Sequence, residues 1–264
     1  MDLRLKNRTV FITGSTAGIG FATAKVFLRE GASVLLNGRR QESIDRAIAK
    51  LQKEFPNATL RGMPADFSKS EDVNHLLENL PPVDILINNV GIYASTSFFD
   101  MPDTDWHRQF EVNVMSGVRL SRQLLPKMIE NDWGRIVFVS SECATLVPED
   151  LLAYSMTKAA ILAVSRGLAQ LTKGSGVTVN TVIPGSTLSE GAEQFLADVA
   201  AKENKTPQQV EQAFFTEVRT SSLLQRFASV EEVANTIVYL SSPLAAATNG
   251  AAIKVDGGSM GGIL

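Results

Sequence analysis

Seven short apolar runs, rich in β-branched residues, recur along this chain. They are Thr9-Val10-Phe11-Ile12, Ser33-Val34-Leu35-Leu36, Ala58-Thr59-Leu60, Val83-Asp84-Ile85-Leu86-Ile87, Arg135-Ile136-Val137-Phe138-Val139, Val177-Thr178-Val179-Asn180-Thr181-Val182 and Ala251-Ala252-Ile253-Lys254-Val255. Stretches with helical apolar spacing lie between them. A strand that reads as a near-continuous apolar run is buried on both faces. Strands alternating with helices make βαβ units with parallel pairing. Right-handed crossovers leave few arrangements, the doubly wound sheet foremost. The expectation is an α/β fold: one parallel seven-stranded sheet with helices on both faces.

A chain of 264 residues is long enough for one large α/β domain or two small ones. No repeat, low-complexity tract or linker-like shift in composition divides it, so residues 1–264 read as one domain. Ser229-Val230-Glu231-Glu232 is a capping box ahead of an apolar face at Val233, Ile237 and Leu240. Thr206-Pro207-Gln208-Gln209 is a second box, with proline at the first helical position. The stretch of about 186–224 breaks the alternation. It predicts about two amphipathic helices and no strand, an insertion placed to act as a helical substrate lid or to add a packing layer.

Composition removes several functions. Net charge is −3, which leaves no basic surplus for displacing counterions from a nucleic acid. One cysteine, Cys143, excludes an internal disulfide framework and a thiolate-rich zinc site; with two histidines, His75 and His107, no metal centre is expected. Met1-Asp2-Leu3-Arg4-Leu5-Lys6 has no apolar core of a secretion signal, and no apolar run reaches the ~18 residues of a membrane span. A soluble cytoplasmic protein is expected.

Thr13-Gly14-Ser15-Thr16-Ala17-Gly18-Ile19-Gly20 follows the first strand directly and opens a helix with Ile19, Ala22, Val26 and Phe27 on its apolar side. A helix N-terminus offers free N–H donors and a favourable dipole to a diphosphate. Glycines let the backbone turn sharply and approach the ligand. In that position the motif points to a Rossmann-like dinucleotide site rather than an ordinary glycine turn. No Gly-Lys-Ser or Gly-Lys-Thr occurs, so a P-loop nucleotidase is excluded. In this fold an acidic residue normally ends the second strand and holds the ribose 2′-hydroxyl of NAD. Here the strand ends Leu36-Asn37-Gly38-Arg39-Arg40, with two guanidinium groups and no carboxylate. A 2′-phosphate favours positive bidentate donors, so the expected cofactor is NADP.

Tyr154 and Lys158 lie four residues apart, on one face of a helix. A phenol with pKa near 10 needs a neighbouring cation to serve as acid and base at neutral pH. Such pairs also arise by chance. Ser141 strengthens the reading: it ends the fifth strand, and ligands of a doubly wound sheet bind beyond the carboxyl ends of its strands. Asn113 falls in a helix interior, where a side-chain amide needs a special partner.

At these residues the chain resembles the short-chain dehydrogenase/reductase family. The matching motifs run in order: Thr13 through Gly20, Asp66, Asn88-Asn89-Val90-Gly91, Asn113, Ser141, Tyr154 with Lys158, Pro184-Gly185, and the closing Val255-Asp256-Gly257-Gly258. The resemblance implies that Tyr154 gives or takes the proton and that Ser141 orients the substrate oxygen. Lys158 would bind the nicotinamide ribose and lower the tyrosine pKa. Asn113 would hold a water that relays protons to Lys158. Gly14, Ser15, Thr16, Gly18, Ile19 and Gly20 would take the diphosphate, and Arg39 and Arg40 the 2′-phosphate. Asp66, Phe67, Asn89, Val90 and Gly91 would line the adenine end; Pro184, Gly185, Thr187 and Ser189 would line the nicotinamide end. Two positions depart from the family pattern: Val90 stands where alanine is usual, and Ser189 where threonine is usual.

The expected reaction moves a hydride between the nicotinamide and a carbon bearing oxygen, on a small carbonyl or alcohol substrate. An NAD-dependent alcohol dehydrogenase and a non-catalytic dinucleotide sensor share the fold; Asn113, Ser141, Tyr154 and Lys158 favour an enzyme over the sensor. Asp132, Trp133 and Ser175 replace the basic residues with which reductases of carrier-protein thioesters dock their acidic partner. The resemblance also implies a homotetramer. The helix of about Asp103–Ile129 and the tyrosine-bearing helix to about Leu171 would pair at one interface, and Ile253–Leu264 would lie at a second.

Overall fold

The computed structural model describes residues 2–262. Met1 of the N-terminal reading, and Ile263 and Leu264 of the expected second interface, lie outside it. The first half of the chain alternates strand and helix: β1 (Thr9–Ile12), α1 (Gly18–Arg29), β2 (Ser33–Gly38), α2 (Gln41–Glu54), β3 (Leu60–Pro64), α3 (Ser70–Asn79) and β4 (Ile85–Asn88). There follow α4 (Asp103–Phe110), α5 (Ser116–Glu130), β5 (Gly134–Val139), α6 (Cys143–Leu146), α7 (Leu152–Leu171) and β6 (Val177–Pro184). The last part holds β7 (Thr187–Leu188), α8 (Glu190–Glu203), α9 (Pro207–Ala213), β8 (Ala228–Ser229), α10 (Val230–Leu240) and β9 (Ala252–Val255).

The seven-stranded sheet runs β3-β2-β1-β4-β5-β6-β9, every neighbouring pair parallel. Strand order reverses between β1 and β4, which opens a crevice at their carboxyl ends. Both faces are covered, as continuous apolar strands require. Ile12, Leu36, Ile87 and Val139 pack with α1, α2 and α10; Phe11, Leu35, Leu86 and Phe138 pack with α3, α5 and α7.

Three elements differ from the sequence expectation. The third strand lies at Leu60–Pro64 rather than Ala58–Leu60. It is an edge strand whose partly exposed Arg61-Gly62 stretch hides the apolar signal. The stretch 186–224 is not free of strands: Thr187 and Leu188 pair with Ala228 and Ser229, in parallel, outside the main sheet. Its helices share a small core of Leu196, Ala200, Val210, Phe215 and Phe227. The helix expected over Asp103–Ile129 is interrupted by a π-helical turn at Glu111–Met115. Both capping boxes are present, Thr206 with Gln209 and Ser229 with Glu232. No helix among the described residues is long and apolar enough to cross a membrane.

Candidate active site

The crevice floor is the loop from β1 to α1. Gly14 and Gly18 adopt φ of +60° and +56°, the left-handed region that glycine enters without strain. At Gly20 a Cβ would stand 2.4 Å from the Gly14 carbonyl oxygen and 2.6 Å from Asn89 Nδ2, so only glycine fits. Asn89 ties the loop to β4, its amide donating to the carbonyls of Thr13 and Gly14 at 2.9 Å each. Thr13 Oγ1 accepts from the N–H groups of Asn89 and Val90. Ala17 precedes α1 in an extended conformation and supplies no side-chain cap. Ser15 turns inward, its hydroxyl donating to Ile12 O and accepting from Asn37 N.

A cavity of about 260 Å³ opens over this floor. Gly14, Thr16, Arg39, Asp66, Phe67, Asn89, Val90 and Gly91 line it together. Burial acts to raise the Asp66 carboxyl, but the Ser68 hydroxyl and N–H, with Arg39, hold it below its ordinary value. Arg40 does not join Arg39 on this wall: it is exposed and sits at the N-cap of α2. Asn37 and Arg108 line the cavity too, and sequence reasoning missed both. Asn37 Oδ1 accepts from Gly14 N at 3.0 Å, and Nδ2 donates to Met63 O at 2.9 Å. A polar asparagine directly after the apolar run Val34-Leu35-Leu36 was the available signal for Asn37. The left-handed turns at Gly14 and Gly18, the bar to a Cβ at Gly20 and the cavity over the start of α1 fit a dinucleotide.

Gly91 leads from this cavity to the second cluster; a Cβ there would lie 3.2 Å from Lys158 Nζ. Tyr154 and Lys158 share one face of α7, with Nζ 5.5 Å from the tyrosine ring centroid. Lys158 is 3% exposed and donates to Val139 O at 2.9 Å. Burial pushes its ammonium down to about 8. Tyr154 is half-buried, hydrogen-bonds with Ser141 and meets the Tyr93 ring edge-on at 5.8 Å. The phenol was expected to be lowered by Lys158. Instead burial pushes it above its ordinary value, and the Ser141 hydrogen bond opposes that rise. The physical reason is that burial of the phenol itself disfavours its charged form. Ser141 Oγ accepts from Cys143 N at 3.2 Å. The Cys143 thiol is buried and pushed up by that burial, so it stays protonated.

Asn113 sits in the π turn. Its Oδ1 accepts from Ile92 N at 2.8 Å, and its Nδ2 donates to Ile92 O and to Thr157 Oγ1 at 2.9 Å each. It therefore ties the segment after β4 to α7, one residue from Lys158. Pro184 and Gly185 lie beside Ser141: Glu142 N donates to Pro184 O at 2.8 Å. Thr187 Oγ1 donates to Gly185 O, and Ser189 Oγ caps α8 by accepting from Ala192 N. Glu190 and Glu142 were also missed. Glu190 Oε2 accepts from Gly18 N at 2.8 Å, and Glu142 is buried against Arg219. Among the described residues no group of three or more His, Cys, Asp or Glu side chains could hold a metal ion.

The family model of the short chain dehydrogenase matches residues 8–200. The chain belongs to the short-chain dehydrogenase family. An uncharacterized oxidoreductase of Bacillus subtilis, YvaG, is 46% identical over 98% of both chains. The D-beta-hydroxybutyrate dehydrogenase of Rhizobium meliloti is 30% identical over 95% of this chain and 98% of its own. The L-sorbose reductase of Gluconobacter frateurii, whose crystal structure holds NADPH and L-sorbose, superposes with a TM-score of 0.93 at 30% identity and covers all of both chains. This short-chain dehydrogenase therefore shares its whole length, not only its nucleotide-binding half, with oxidoreductases.

Proposed function

We propose that this protein interconverts a carbonyl and an alcohol with NADP(H), as a one-domain cytoplasmic homotetramer. The observation that carries the reading is the convergence of Tyr154, Ser141 and Lys158 beside a cavity suited to a dinucleotide. A sensor would need only the cavity. When bound, the nicotinamide supplies a hydride to the carbonyl carbon or takes one back.

The chain's own groups handle the oxygen and the proton. In reduction, Ser141 Oγ holds the substrate oxygen as negative charge grows there. The Tyr154 phenol gives its proton to that oxygen; in oxidation the phenolate takes it back. A phenol raised by burial is fully protonated at neutral pH, which suits the donor role. Lys158 spends one donor on Val139 O and has two left for the nicotinamide ribose hydroxyls. Asn113 holds the backbone of Ile92 and the hydroxyl of Thr157, and so fixes the wall that carries Lys158. Arg39, on the cavity wall near Asp66, would hold the 2′-phosphate, with no carboxylate at the end of β2 to repel it.

NADPH consumption, followed by absorbance over a panel of ketones, aldehydes and ketoses including L-sorbose, tests the reading. Turnover of at least one carbonyl is expected. Tyr154→Phe should lose about 10²–10⁴-fold in rate and still bind NADPH. Wild-type turnover by the folded Tyr154→Phe protein would remove the tyrosine from the mechanism.

A further inference from the structure

The residue after Ser141 is a buried carboxylate. Glu142 is 3% exposed, and its N–H is spent on Pro184 O. Its Oε1 accepts from Arg219 Nε at 2.7 Å and from Ser186 Oγ at 3.1 Å. Its Oε2 is buried with no hydrogen-bond partner among the described residues. Arg219 belongs to the far end of the 186–224 segment, just past a π-helical turn at Phe214–Val218. Its guanidinium lies 6.0 Å from the Phe214 ring centroid, and Phe214 stacks on Phe227 of the segment's small core. One carboxylate thus joins the loop carrying Ser141, the strand end at Pro184–Ser186 and the last turn of the segment.

Stability alone is a poor reason for this arrangement. A buried ion pair is desolvated at high cost, and an apolar pair of similar volume commonly stabilises as well or better. The unpartnered Oε2 adds to the cost. What the pair supplies instead is direction. It fixes the Glu142 main chain, and with it the Ser141 hydroxyl one residue away, relative to the 186–224 segment.

We propose that Glu142 is a positioning residue: through Arg219 and Ser186 it clamps the 186–224 segment to the Ser141 loop, so that the substrate is enclosed with Ser141 aimed at its oxygen. The enclosure of a substrate rests on the carbonyl–alcohol reading above; the clamp itself does not. The informative variant is the double substitution Glu142→Met/Arg219→Met, which removes the clamp without leaving an unpaired buried charge and is expected to fold. Hydrogen exchange of the whole protein reads the clamp with no substrate present. Amides of 214–224 should exchange roughly tenfold faster than in wild type while those of β1 and α1 stay unchanged. Catalytic efficiency on the best carbonyl of the panel should fall roughly tenfold or more. Glu142→Gln, whose amide oxygen still accepts from Arg219 and Ser186, should retain most of the activity. Unchanged exchange in 214–224 would overturn the clamp. Faster exchange with wild-type kinetics, or a Glu142→Gln protein as impaired as the double variant, would overturn the positioning role. Failure of wild type itself to turn over any carbonyl would count against the proposed activity and leave the exchange comparison intact.

Discussion

Lys158 pays for its place in the site. Burial takes its ammonium from the ordinary 10.5 down to about 8, so holding the charge inside costs on the order of 3 kcal/mol at neutral pH. Lys158→Met removes that cost and gives up one bond to Val139 O, worth about 1 kcal/mol. The variant should therefore be more stable than wild type at pH 7, by about 2 kcal/mol in urea unfolding. Between pH 8 and 10.5 the unfolded chain holds a proton that the folded protein has released, so wild-type stability rises with pH there. The advantage of the variant should shrink through that window. An advantage independent of pH would mean that packing, not charge, sets it. Arg39 makes the cofactor prediction. A charge-assisted contact contributes about 1.5–3 kcal/mol, so Arg39→Asp should weaken NADPH binding by roughly tenfold or more and shift preference toward NADH. Equal affinity of wild type for both dinucleotides, measured by titration, would exclude that role.

The elements show which parts of the site can be read from a chain and which cannot. Central strands such as Ile85–Asn88 and Val177–Pro184 are buried throughout, so their apolar runs mark them plainly. The glycine loop is legible because its spacing follows from close backbone approach, and Tyr154 with Lys158 because four residues make one helical turn. β3 is displaced because an edge strand carries little apolar signal, and β7 with β8 is invisible because two residues have no period. Glu142 and Arg219 are separated by 77 residues, and only the fold brings them together. The height of the Tyr154 pKa depends on burial, which spacing does not report. The π turn at Glu111–Met115 belongs to the same class, since it leaves the apolar pattern almost intact while placing Asn113 on Ile92 and Thr157. Asn113→Ala orphans the Ile92 N–H and should cost about 1–3 kcal/mol and reduce turnover. Ser229→Ala, which breaks a cap far from Tyr154 in the chain, should cost about 1 kcal/mol and leave kcat unchanged. Urea unfolding and kinetics on both proteins separate the two effects. Unaltered stability in Asn113→Ala would show that the amide does not hold that wall.

Among the apolar side chains that the molecule keeps in water, one set lies ahead of α4 and on α4, α5 and α7. Phe98 and Phe99 meet edge to face at 5.6 Å ahead of α4, and Phe99 is 92% exposed. Phe98 also meets Trp106 on α4. Exposed positions continue with Phe110 at the end of α4, Ile129 on α5, and Met156 and Leu171 on α7. The inner faces of α5 and α7 are already used against Leu86 and Phe138, so these residues have no core of their own left to enter. Single exposed apolar residues are ordinary, but a patch assembled from several of them would suit a contact with another protein. A two-fold axis would let α4, α5 and α7 of one protomer cover the same helices of its partner, since an isologous contact buries one patch against its own copy. A second such axis at the C-terminal end would complete a tetramer. Light scattering at micromolar concentration should therefore give four times the chain mass. Phe99→Glu places a charge at the most exposed of these positions and should shift the protein toward smaller species without unfolding the sheet, because Phe99 contributes to neither sheet-face core. A wild-type protein of single-chain mass would leave these side chains unexplained by self-association and would exclude the tetramer.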